Sequence, residues 1–110
     1  MKTQQPILTT SIAAAADLTK ARFVGFNGNV CAAGAKALGT AETDTGSGRQ
    51  APVNVLGILH VESGGAIAVG ADVESNASGQ AITKTAGVSN GTALDAASAQ
   101  GEIIRITRGI

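Results

Sequence analysis

Residues 53–62 read VNVLGILHVE, and this stretch decides the fold. It is β-branched and aliphatic, and Pro52 stands immediately before it, where a strand tolerates the missing N–H. Gly57 in its middle predicts a bulge or a close approach of another backbone. A second β-branched run, EIIRIT at residues 102–107, closes the chain. Working outward, residues 21–26 (ARFVGF) read as a strand. Asn27-Gly28-Asn29 supplies its turn, and residues 30–33 its returning partner. Residues 66–69, 72–75 and 80–84 are further short strands, with Asn76-Ala77-Ser78-Gly79 as a loop between the last two and Asn90-Gly91 as another turn. Residues 42–51 (ETDTGSGRQA) form an exposed loop. Helical candidates are few, residues 12–20 and 94–100, and both are short. Short strands separated by turn signals every eight to twelve residues or so predict an all-β fold, a small single-domain β-barrel or sandwich.

Composition agrees. Ala, Gly, Thr and Ser fill 54 of the 110 positions, and Leu, Ile, Val and Phe fill 25. That apolar share lies just above the level, roughly 20%, below which chains tend to disorder, and the net charge is zero, so the chain should fold. With no Trp, no Tyr and only Phe23 and Phe26 as aromatics, the core must be built from small aliphatic side chains. Such a core buries little area in a domain of marginal size, so something outside the monomer is expected to help hold it. Eight basic residues balance eight acidic ones, which argues against nucleic acid as a partner. No window approaches 18 unbroken apolar residues, so no membrane helix is expected.

The first 16 residues imitate a secretory signal, with Lys2, an apolar stretch and an Ala run. The apolar stretch is half hydroxyl residues, however, and follows Gln4-Gln5-Pro6. The better reading is an extended N-terminal arm over residues 1–12, followed by a single β-rich domain over residues 13–110. Pro6 blocks helix nucleation and pushes Gln5 toward extended geometry. Pro6, Ile7, Leu8 and Ile12 are then candidate contacts with a neighbouring subunit, by addition of a strand to that neighbour's sheet edge.

Motifs that could carry catalysis or a metal are each incomplete. His60-Val61-Glu62 opens a zinc deaminase signature whose P-C-x-x-C half is missing, so a polar row on a strand is the preferred reading. Residues 72–76 (DVESN) resemble the start of a calcium loop, but Ala77 stands at the required glycine and Thr83 at the required glutamate. Residues 46–49 (GSGR) and 34–39 (GAKALG) both lack the Lys-Ser/Thr ending of a phosphate loop. Cys31 has one imidazole, His60, available in the whole chain to activate it, and a buried inert thiol is the expectation. The sequons at Asn76 and Asn90 read as turns. No catalytic residue, cofactor or metal site is expected, and the chain reads as a non-enzyme.

From Ile7 onward the chain resembles the small capsid decoration, or cement, proteins of tailed bacteriophages. The similar residues are ADLTKARFVGFNGNVCAAGAKALGTAETD (16–44), VNVLGILHVESGGAIAVGADVESNASGQAIT (53–83) and GTALDAASAQGEIIRI (91–106), with a family-like G-x-x-V-x-S-N-x-x-G at residues 70–79. The resemblance implies a compact β-fold on the outer capsid surface of the virion, present in the host cytoplasm during assembly. It implies the major capsid protein as partner and a homo-oligomer, a trimer, as the working unit. Its role would be to staple neighbouring capsid subunits, adding binding energy to the lattice. A small β-barrel binding module of a phage tail or baseplate is the alternative. The lack of Trp and Tyr counts against a carbohydrate-binding version of it.

Overall fold

In a computed structural model, residues 3–109 form eight strands and, among these described residues, no helix. The strands are β1 (Gln5–Ala13), β2 (Phe23–Val24), β3 (Gly39–Ala41), β4 (Gln50–Glu62), β5 (Val73–Ser75), β6 (Ala81–Thr83), β7 (Thr92–Ala93) and β8 (Ile103–Arg108). The stretch read first, residues 53–62, lies inside β4, which begins three residues earlier and organises everything else. β1 pairs antiparallel with β4 over residues 50–58, β3 over Val53 and Asn54, and β8 over residues 57–62. A residue has only two sides to pair on. Because Val53 and Asn54 are shared by β1 and β3, and Gly57 and Ile58 by β1 and β8, β1 runs along one side. β3 and β8 then sit in tandem along the other.

β4 is bent. The Gln4 side-chain carbonyl accepts from the His60 main-chain N–H at 3.1 Å and from the Asn54 amide at 3.5 Å. Residues six apart on a straight strand would be about 20 Å apart. Gly57 lies between them at φ 112°, and a Cβ there would stand 2.5 Å from the Gln5 carbonyl. The register of β1 also shifts on both sides of Leu8, the signature of bulges that curl a sheet. The curled six-stranded sheet, with β5 and β6 as a separate two-stranded sheet, makes a half-barrel, the barrel-like form of the expected all-β fold.

The bend divides the apolar interior in two. One cluster gathers Phe23, Cys31, Leu59, Val61, Ile67, Val73, Ile104 and Ile106 around the second half of β4. The other gathers Ala14, Leu18, Val24, Ala41, Ala51 and Val53 around its first half, with Ile12 packed on it. Val, Ile and Ala predominate in both, so each buries little, as the composition implied.

Several local expectations need correction. The segment 12–20 is not helical: Ile12 and Ala13 continue β1, and Leu18 exchanges main-chain hydrogen bonds with Thr45. Segment 94–100 is not helical either, for the Glu102 carboxylate accepts from the Ser98 and Ala99 N–H groups and fixes a turn. Alanine-rich segments this short cannot nucleate a helix against such tertiary bonds. The return strand at 30–33 shrinks to one bridge, Val30 to Val24, and the strand at 66–69 to one bridge, Ile67 to Ala97. The loop 42–51 ends at Arg49, because Gln50 and Ala51 already belong to β4.

Candidate functional site

β1 is the outermost long strand, and all its residues are exposed except Ile12, which is half-buried. Of the segment expected as an arm, Met1 and Lys2 lie outside the described residues; from Gln5 on it is extended, and its main-chain partner is β4 of its own chain. The physical reason is local. Main-chain groups along the first half of β4 need partners on the side away from β3, and residues 5–13 reach them without a second molecule. Ile7 falls at the register shift, opposite no residue of β4, and is 84% exposed. Leu8 lies across from Leu56 and is 46% exposed. Pro6, across from Gly57, is exposed as well. Pro6, Ile7 and Leu8 therefore form a small apolar ridge on the outer strand. Ile12 is separated from it and packs partly into the second cluster.

Beside the ridge, the strand is held by a polar network. Thr9 donates to Asn54 Oδ1 at 2.7 Å, Asn54 Nδ2 donates to Glu42, and Gln4 Nε2 donates to Glu42 at 3.0 Å. Asn54 is 1% exposed, so its amide must be satisfied, and these bonds do so.

The motifs that suggested chemistry do not converge. Glu62 receives hydrogen bonds from Arg22 and Gln80, and His60 lies two residues before it on β4. Of the calcium-like segment, Asp72 accepts from the Thr92 hydroxyl at 3.0 Å. Glu74 turns inward to accept from the Thr85 and Gly87 N–H groups at 2.6 and 3.1 Å. Those hydrogen bonds hold its carboxyl below the ordinary carboxylate range. Among the described residues no three His, Cys, Asp or Glu groups come together as a metal site. In the 46–49 loop the Ser47 N–H is taken by Asp17 and the Gly48 N–H by the Ala14 carbonyl, so neither is open to a phosphate. Cys31 is buried, and burial pushes its thiol pKa up, which keeps it protonated and unreactive. Asn90 of the second sequon is 2% exposed and spends its amide on the Ala37 N–H and the Ala35 carbonyl.

Two surface features were not foreseen. Phe26 was placed in a strand, yet it sits at a turn and is 60% exposed beside an apolar hollow of about 310 Å³ lined by Val30, Ala32 and Ala35. The signal was present in the next two residues, Asn27-Gly28, which end the strand before Phe26 can be covered. The second feature is a polar cleft of about 390 Å³ lined by Lys36 and Arg108, residues far apart in the sequence.

Fold and surface together make a small half-barrel with exposed apolar residues on β1 and at Phe26, and a polar cleft beside Lys36 and Arg108. The chain belongs to the phage cement proteins: the model of that family matches residues 1–108. It is thus a structural protein of the phage capsid. No curated protein sequence matches it. Among solved structures it resembles the head fiber gp8.5 N base in bacteriophage phi29, with a TM-score of 0.74 at 19% identity over 93% of each chain. At that identity the likeness speaks for the fold.

Proposed function

We propose that this chain cements the phage head by binding the outer surface of the assembled capsid and bridging neighbouring copies of the major capsid protein. It does so as a homotrimer, carries no catalytic centre, and waits in the host cytoplasm until capsids are available. The observation that supports this most directly is the ridge of Pro6, Ile7 and Leu8. An isoleucine 84% exposed on a rigid strand gains by burial against a partner, about 2 kcal/mol for full desolvation of such a side chain. Pro6 fixes the strand where Ile7 projects, so little conformational entropy is lost on docking. Ile12, packed on the second cluster at the far end of β1, anchors the strand that presents the ridge. A protein that binds only the assembled lattice stabilises that lattice by mass action.

Co-sedimentation with purified, undecorated capsids tests the reading. The full chain should saturate the capsids, and Ile7→Asp should weaken binding about tenfold or more, with an unchanged melting temperature, because Ile7 supports no core. Decoration by Ile7→Asp as tight as by the parent chain would remove the ridge from the interface. Failure of the parent chain to bind would remove the function.

A further inference from the structure

The polar cleft has a built frame. Asn90 is buried, and its two amide bonds, to the Ala37 N–H at 2.9 Å and the Ala35 carbonyl at 3.0 Å, clamp the residues on either side of Lys36. Arg108, at the end of β8, donates through Nη2 to the Ala37 carbonyl, so it is tied to the same loop. Residues 90–92 line the cleft as well. Gly91 lets their backbone approach β8 closely, since a Cβ there would stand 2.9 Å from the Thr107 carbonyl. Lys36 and Arg108 thus line one cavity, and Arg108 is tied to the loop that Asn90 holds.

The charges in that cavity are unbalanced. Among the described residues the ion pairs are Arg22 with Glu62 and Arg105 with Asp95, and Arg108 joins neither. Its guanidinium is half-buried, its Nη1 is buried without a hydrogen-bond partner, and its bond to Ala37 uses one of five N–H donors. Desolvation lowers its pKa, yet a guanidinium stays charged at any ordinary pH. Asp72 lines the same cleft and accepts from the Thr92 hydroxyl, so the lining carries two positive charges and one negative. Partly burying a cation without a counter-charge is costly, and folds ordinarily pair such groups.

We infer that this cleft is a binding site for a small oxyanion, a carboxylate or phosphate group, held between Arg108 and Lys36. Arg108 supplies a permanent charge and the donors that the Ala37 carbonyl leaves over, Lys36 adds a point charge, and Thr107 lines the same cleft. The group comes either as a free solute or on an acidic side chain of a neighbouring protein.

The first arm of the test uses the isolated full chain and is independent of capsid binding. In an NMR titration with sodium phosphate, against sodium chloride at matched ionic strength, the amides of Lys36, Asn90, Gly91, Thr92 and Arg108 should shift saturably. The dissociation constant should rise about tenfold in Lys36→Gln and in Arg108→Met. Lys36 is exposed, so its variant keeps the fold even where the Arg108 variant does not. Shifts that chloride reproduces, or saturable shifts that Lys36→Gln leaves undiminished, overturn the site. In the second arm phosphate is added to decorated capsids. Release that depends on Lys36 assigns the site to an acidic side chain of the capsid, and retention assigns it to a free ion.

Discussion

Glu74 shows what a single residue contributes here. It is 7% exposed, a place where a carboxylate is tolerated only with full hydrogen bonding, and its Oε1 accepts from Thr85 and Gly87 in the loop after β6. The charge therefore ties that loop to β5. Its pKa is lower in the folded chain than in the unfolded one, so its contribution is complete above the ordinary carboxylate range, about pH 4. The contribution is lost as the pH falls through that range to the depressed value. Glu74→Gln should lower the melting temperature at neutral pH, and the gap to the parent chain should close on acidification. Thermal melts of both chains between neutral pH and strong acid check this, and a gap that stays constant in acid would contradict it.

At the scale of elements, the bend in β4 and the docking of β1 belong together. Gly57 holds φ 112° with the Gln5 carbonyl and the Ile7 N–H pressed against it, so no side chain fits without moving β1. Gly57→Ala should cost about 1–3 kcal/mol through backbone strain alone, with further loss as β1 shifts; urea unfolding measures it. Deleting residues 1–12 is the complementary experiment. It removes the ladder from residues 51–58 of β4 and the Ile12 cover from the second cluster, while the first cluster keeps all its members. Hydrogen exchange should accelerate at the amides of Val53 to Leu56 and stay slow at Leu59 and Val61, which β8 protects. Uniform acceleration would show that the two clusters fold as one unit.

The whole molecule is thinly cored. Its two clusters are small, and several large apolar side chains remain at the surface: Ile7, Phe26 and Val69 are each at least 60% exposed. They lie on β1, on the turn after β2 and in the loop before β5, well separated along the chain. The homotrimer proposed above would bury several such spots at once. Light scattering at tens of micromolar should give the mass of three chains. A monomer at that concentration would confine oligomerisation to the capsid surface.

The strand content was legible because it is written locally. The β-branched run of residues 53–62, the run at 102–107 and the Asn-Gly turns carry their preferences with them, whatever surrounds them. Gly57 announced a bulge for the same reason. The failures were also local in origin: the alanines of 12–20 favour helix only where no strand competes, and the partner that won, Thr45, is far away in sequence. Pro6 and Ile7 were marked as extended and apolar, but nothing in them says which edge they would join. Lys36 lies in the incomplete phosphate-loop pattern of residues 34–39, and nothing local relates it to Arg108. By itself, then, the sequence determined an all-β domain of short strands with a thin aliphatic core and no paired catalytic motif, because each of those properties is a sum over neighbouring residues. Tertiary structure alone decided that β1 closes on β4, that Phe26 stays in solvent, and that two distant cations share a cleft. Those outcomes depend on a bend in one strand and on the amide of a buried asparagine, contacts between residues that no local pattern relates.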